Sequence, residues 1–332
     1  MPSGGPVIPF PSVEAVEQVP EDATAVARRI VENVGRVLEG KREVVELAVV
    51  GLLARGHLLI EDVPGVGKTT LARALARSIG VSFRRVQFTS DLMPADVLGG
   101  SVFDQGSSRF SFRPGPIFTN VLLADEINRT TPKTQSALLE AMDERQVSID
   151  GKTHPLDEPF LVVATQNPDE FYGTYPLPES QLDRFLLRLR IGYPPAEVER
   201  RVIRERRGGD PLDGISAVAG LDAVLDAQDA VDSVRVDDAL VAYLHSVVIA
   251  TRQTPTLALG ASTRAALALE RAVRARALVD GRSYATPDDV KTLAVPVLAH
   301  RVRLAGVHDA AIHRSDAERA VRDVVESVSV PV

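Results

Sequence analysis

Residues 57–79, HLLIEDVPGVGKTTLARALARSI, constrain the fold more than any other stretch. An apolar run of strand length, His57 to Glu61, meets a Gly-rich loop. Beyond the loop Leu71, Leu75 and Ile79 recur at helical spacing until Gly80. Strand, loop and helix in that order set backbone N–H groups at the positive end of a helix, which is a seat for phosphate. Within Pro64, Gly65, Val66, Gly67, Lys68, Thr69 and Thr70, Lys68 can reach β- and γ-phosphates and the Thr69 hydroxyl can ligate Mg²⁺. The full G-x-x-x-x-G-K-[ST] pattern is not met, because Asp62 stands where its first glycine belongs. A Gly-rich turn with an incidental lysine reads the same way, so the chemistry must be sought in the rest of the chain.

A second apolar run, Val121 to Ala124, leads straight into Asp125 and Glu126. At the carboxyl edge of a sheet, Asp125 can hold magnesium through water, and Glu126 can deprotonate the water that attacks a γ-phosphate. An acidic pair after a strand is otherwise a helix cap. A third run, Phe160 to Ala164, ends in Thr165, Gln166 and Asn167, whose amide can position that water or sense the γ-phosphate. Asn before Pro is also ordinary turn chemistry. In Asp183-Arg184-Phe185, Arg184 is either a cation for transition-state charge or one half of a surface ion pair.

Strand-length runs alternating with helical ones make the first half α/β with a covered parallel sheet. Two helices divided by Gly40 fill 25–54, and two hairpins are expected at Val102 to Arg113 and Val147 to His154, the latter around Asp150-Gly151. Beyond Pro194-Pro195 no strands are expected. Asp210 to Gly220 reads as a linker into a helical second half. There Val241, Leu244 and Val248 share a face, and Ser262 caps a helix carrying Leu267, Leu269 and Val273. Thr286-Pro287-Asp288-Asp289 opens another helix. The expected organisation is a flexible tail at 1–20, an α/β domain at 21–209, a linker at 210–234 and a helical lid at 235–332.

Composition removes several function classes. No apolar run reaches a membrane span, and the chain's start does not resemble a secretion signal. Cysteine is absent, which excludes disulfides and thiolate metal sites and fits a reducing cytoplasm. A formal charge of −7 argues against tight DNA binding. The basic cluster Arg200, Arg201, Arg204, Arg206 and Arg207 reads as a solvated helix face. Six histidines show no ligand-like grouping with acids, and His308 with His313 is the one pair worth a metal titration.

Taken together, EDVPGVGKTTLA (61–72), LLADEINRTTPKTQSALLEAMDERQV (122–147), VVATQNP (162–168), YPLPESQLDRF (175–185) and GASTRA (260–265) resemble the MoxR family of AAA+ ATPases. The family looks similar at Asp62. The resemblance implies an ATP- and Mg²⁺-dependent hexameric ring, an α/β nucleotide domain with a central parallel sheet, and a C-terminal helical lid. By position it implies Lys68 and Thr69 as Walker A, Asp125 and Glu126 as Walker B and Asn167 as sensor 1. Arg184 would be the finger acting on a neighbour's ATP and Arg264 sensor 2, with Gly40 near the adenine. Both hairpins would face the pore. Such proteins act as chaperone-like motors that mature or assemble partners, commonly with a von Willebrand factor A domain protein.

Three other readings compete. A magnesium-chelatase-like motor subunit has a similar ring and would co-purify with a large chelatase subunit. A nucleic-acid motor is disfavoured by the acidic balance and by the lack of aromatic-basic stretches. A nucleotide-gated scaffold with little turnover is disfavoured by the intact Glu126.

Overall fold

The computed structural model describes residues 23–106, 108–167, 173–205, 210–306 and 314–330. The expected tail, the His308–His313 pair and Arg206 and Arg207 lie outside the described residues. Helices α1 (Ala23–Gly35) and α2 (Arg42–Leu53) precede strand β1 (Leu58–Glu61). Gly40 divides them at φ +73°, where a side chain would be strained and would press on Pro195. Helix α3 (Lys68–Ser78) and strand β2 (Phe83–Gln87) follow the Gly-rich loop. Helix α4 (Pro94–Leu98) leads into a hairpin of β3 (Gly99–Asp104) and β4 (Arg109–Pro114).

Strand β5 (Val121–Asp125) is followed by helix α5 (Pro132–Glu144) and a second hairpin, β6 (Gln146–Ile149) with β7 (Lys152–Pro155). Its two-residue turn places Asp150 and Gly151 at φ +50° and +73°, as the Asp-Gly pair predicts. Strand β8 (Leu161–Gln166), helix α6 (Glu179–Leu182), strand β9 (Leu187–Leu189) and helix α7 (Ala196–Glu205) complete the first layer.

One parallel sheet, ordered β2-β5-β8-β1-β9, organises this half. Side chains alternate between its faces: Leu58, Ile60, Leu123 and Val163 join the core under α1–α3, while Leu59, Leu122, Ala124, Val162 and Ala164 join the core under α5. Both faces are covered, so the central strands read as continuous apolar runs. Strands β2 and β9 escape sequence reading. The first alternates with arginines (FRRVQ), and the second has three residues, too few for a periodic signal.

The second half corrects three expectations. The 210–234 stretch is folded: Asp210 caps a 3₁₀ turn, and helix α8 (Leu221–Ala230) packs on α1 through buried Val224 and Ala227. Strands do recur, as a small antiparallel pair of β10 (Leu257–Leu259) and β11 (Arg303–Leu304). In helix α9 (Asp238–Gln253) Val241 is exposed, and the buried face is Leu240, Tyr243, Leu244, Val247 and Val248. In helix α10 (Thr263–Val279) Leu267 is exposed beside buried Leu269 and Val273. Val241 satisfies helical spacing with one side of the true stripe, and only packing chooses which side is covered.

Other expectations stand. Ser262 accepts the Ala265 N–H at 3.0 Å, and helix α11 (Pro287–Leu298) opens on a Thr286–Asp289 capping box. Helix α12 (Arg314–Ser327) ends the fold. The buried residues of α9–α12 are continuous with those of α1–α3, so lid and sheet share one core. No helix among the described residues is long and apolar enough to cross a membrane.

Candidate functional site

Because the sheet is parallel, β1, β5 and β8 deliver their carboxyl ends to one edge. The phosphate loop leaves β1 there, with Gly65 at φ +85° and Gly67 at φ +102°, conformations that a side chain resists. Gly67 immediately precedes α3, so Lys68 and Thr69 are its first two residues, at the positive end of the helix. Lys68 Nζ donates to the Asp62 carbonyl. The Asp62 carboxylate accepts from the backbone N–H of Val63 at 2.9 Å, Ile191 at 2.7 Å and Gly192 at 2.6 Å. An aspartate in place of the usual glycine thus ties the loop's start to the segment after β9, a role that the motif alone does not disclose. Leu38 lies against Gly67, and Gly40 against Pro195 and Val198, so the 38–40 turn flanks the phosphate loop.

Strand β8 lies between β1 and β5, with Gln166 paired to Glu61 and Ala164 to Ala124. Asn167 therefore emerges between the phosphate loop and the acidic pair, and it is buried. Thr165, the neighbour but one, connects the two acids. Its hydroxyl donates to Asp125 Oδ1 at 2.5 Å and accepts the Glu126 N–H at 2.9 Å. Arg85 grips Asp125 Oδ2 through Nε (3.0 Å) and Nη2 (2.6 Å).

Glu126 sits in the left-handed region at φ +57°, just past the end of β5 at Asp125. Its carboxylate accepts from Gln87 Nε2 at 2.6 Å and Arg129 Nη1 at 2.9 Å. Buried Gln135 donates to the carbonyls of Ile127, Thr130 and Tyr175, fixing the turn that carries Glu126. Gln87, Arg85 and Thr165 hold the acids in place, and the first two lie on β2, the strand that sequence reading misses.

The two arginines are elsewhere. Arg184 precedes β9, and its Nη1 donates to the Leu139 carbonyl at 2.5 Å and pairs with Asp143 at 3.1 Å. Arg264, in the first turn of α10, meets the same Asp143 at 2.5 Å. Asp143 lies at the far end of α5. Beside it the Met142 carbonyl contacts His57 Nε2 at 3.2 Å, just before β1 begins. The pair thus occupies the amino edge, separated from the phosphate loop by the four residues of β1, roughly 13 Å of strand. The ion-pair reading of Arg184 and its grouping with Arg264 are both visible here.

Two buried histidines also lie at this edge. His57 accepts the Val162 N–H at 3.0 Å, and burial holds its imidazole down to about 4. His300 contacts the Phe185 carbonyl at 2.9 Å, and burial keeps it neutral as well.

The hairpins meet on the β5 side: His154 of β7 stacks on Phe112 of β4 with centroids 4.0 Å apart. Phe103 and Phe110 cover each other at the tip yet remain exposed, Phe110 at 73%. Arg200, Arg201 and Arg204 are exposed on α7. Among the described residues no group of His, Asp and Glu converges as a metal cluster.

Comparisons with known proteins agree with the two-part fold. The model of the ATPase family associated with various cellular activities (AAA) matches residues 57–187, and that of the AAA lid domain matches 249–324. The uncharacterized protein YeaC of Bacillus subtilis is 48% identical, covering 94% of this chain and 97% of its own. The chaperone MoxR1 of Mycobacterium tuberculosis is 44% identical over 91% of this chain and 82% of its own. A crystal structure from Cytophaga hutchinsonii, assigned as an ATPase, superposes with a TM-score of 0.84. It is 34% identical over 93% of this chain and 96% of that one.

Proposed function

The chain belongs to the MoxR family of AAA+ ATPases and hydrolyses ATP, and from that premise we propose that its ATP site is completed by a second subunit. In this reading the backbone of Pro64, Gly65, Val66, Gly67, Lys68, Thr69 and Thr70 wraps the phosphates, with Lys68 on the β- and γ-oxygens. The 38–40 turn, with Gly40, lies beside the adenine. Thr69 and Asp125 offer hard oxygen donors at one edge of the sheet, a set suited to Mg²⁺, which neutralises charge on the β- and γ-phosphates when bound. Glu126 takes the proton of the attacking water, and Asn167 orients that water.

The observation that supports a second subunit is the division of groups between the two edges. Hydrolysis needs a cation on the transferred phosphoryl, and such fingers supply roughly 10³–10⁵ in rate. Arg184 and Arg264 lie at the edge opposite their own phosphate loop. Their pairing with Asp143 is partly exposed, and exposed pairs are weak, about 0–1 kcal/mol, so a neighbour's triphosphate can displace Asp143. Two unlike edges that complement one another make a head-to-tail interface, which gives a ring when its rotation closes. Six subunits follow the family resemblance.

The work is proposed to be chaperone-like remodelling or assembly of a client protein, with the aromatic tip at Phe103 and Phe110 gripping it and a von Willebrand factor A domain protein as partner. Turnover per subunit measured against protein concentration tests the completed site. It should rise as subunits associate, and turnover independent of concentration would overturn the reading.

A further inference from the structure

Between α11 and β11 the lid turns through His300 and Arg301, and both side chains are buried. Arg301 is 5% exposed and uses all five guanidinium N–H donors. Nε donates to Asp183 Oδ1 at 2.7 Å. One terminal nitrogen, Nη2, donates to the carbonyls of Asp183 (3.2 Å) and Phe185 (2.7 Å). The other, Nη1, donates to the Leu186 carbonyl at 3.2 Å and to that of Val297 on α11. Every core partner belongs to the four residues 183–186. His300 adds a second bond to the Phe185 carbonyl.

The residue of those four that Arg301 and His300 leave alone is Arg184. Its neighbours on both sides are fixed from the lid, while its own side chain extends to Leu139 and Asp143. Asp183 also faces the other arginine, with its Oδ2 at 3.9 Å from Arg264 Nε. A buried ion pair is weak evidence for stability, since an apolar pair of the same volume often does as well. A planar fork with five fixed donors does supply one unique geometry.

We infer that Arg301 and Asp183 are positioning residues that let the lid set the placement of Arg184 and Arg264 at the subunit interface. The inference rests on the reading that those arginines serve a neighbour's ATP. Movement of the lid carries Arg301 with it, shifts the 183–186 segment and so misplaces Arg184. A lysine at 301 keeps the charge but has three donors and no fork.

The test is subunit mixing with the full-length protein. Arg301→Lys alone should keep its ATP affinity and lose about 10²-fold in turnover, the cost of misplacing a group by an ångström. Mixed with Glu126→Gln, whose own sites lack the base but whose amino edge is intact, it should regain turnover well above either variant alone. Arg184→Ala mixed with Glu126→Gln is the reference. If the reference mixture recovers and the Arg301→Lys mixture does not, the positioning role is overturned while the completed-site reading stands. If neither recovers, the completed-site reading itself fails. Unchanged turnover in Arg301→Lys alone also overturns the positioning role. Should Arg301→Lys not fold, Asp183→Asn goes into the same mixture with the same expected recovery, and its absence counts equally against the role.

Discussion

The two edges of the sheet hold different kinds of group in different ways. At the carboxyl edge, the phosphate loop, Asp125, Glu126 and Asn167 sit at strand ends or at the start of α3, and most of their partners come from adjacent strands. At the amino edge, Arg184 and Arg264 come from a loop and from the lid. They converge on Asp143, and the residues on either side of Arg184 are bonded by Arg301, more than a hundred residues away. A strand end is placed by the ladder that makes the sheet. A loop residue needs a tertiary clamp. The difference teaches that in this chain the carboxyl-edge groups are placed by the sheet itself, whereas the amino-edge arginines are placed by loop and lid packing.

The strongest way to break that comparison is Arg184→Ala, which should lower turnover by about 10³–10⁵ while ATP affinity stays as it was. A titration showing affinity lost in step with turnover would merge the two edges into one site. Next is Glu126→Gln, expected to lose about 10²–10⁴ in turnover with ATP still bound, checked by equilibrium binding and single-turnover hydrolysis.

Acid should act on the amino edge through its buried histidines. The folded pKa of His57 is depressed to about 4 from 6.5, so the unfolded chain binds more protons in that interval. The stability it contributes is fully present above 6.5 and is lost as pH falls towards 4, on the order of 3 kcal/mol in all. Thermal midpoints should drop across that window, and His57→Gln should flatten the slope. The smallest effect sharpens the other edge: Thr165→Val removes the hydroxyl between Asp125 and Glu126, and should lower kcat by about tenfold, one charged hydrogen bond, without changing the protein's state of association. A change in the state of association would show that the carboxyl edge also takes part in the proposed interface.

Much of the carboxyl edge is legible in the linear chain because its groups are contiguous with what positions them. Lys68 follows its loop, and Asp125 and Glu126 follow their strand within five residues. Their supports are less legible. Arg85 and Gln87 lie on an arginine-rich strand that period-two reading does not isolate, and Asp62 looks like a broken motif until its carboxylate is seen capping the N–H groups of Ile191 and Gly192. At the amino edge Arg184 and Arg264 are visible as residues, through the family resemblance. That they share Asp143 is not, and Asp183, His300 and Arg301 carry no local signal.

The sequence by itself determined a phosphate seat, an acidic pair at a strand end, an α/β half and a helical half, because strand and helix periods and loop glycines are local properties of the chain. Only the tertiary structure decided which face of α9 and α10 is buried, that 210–234 includes a packed helix, and that both arginines lie across the sheet from the Gly-rich loop. Those outcomes depend on contacts between residues far apart in the chain, and no local pattern encodes which distant partner will be present.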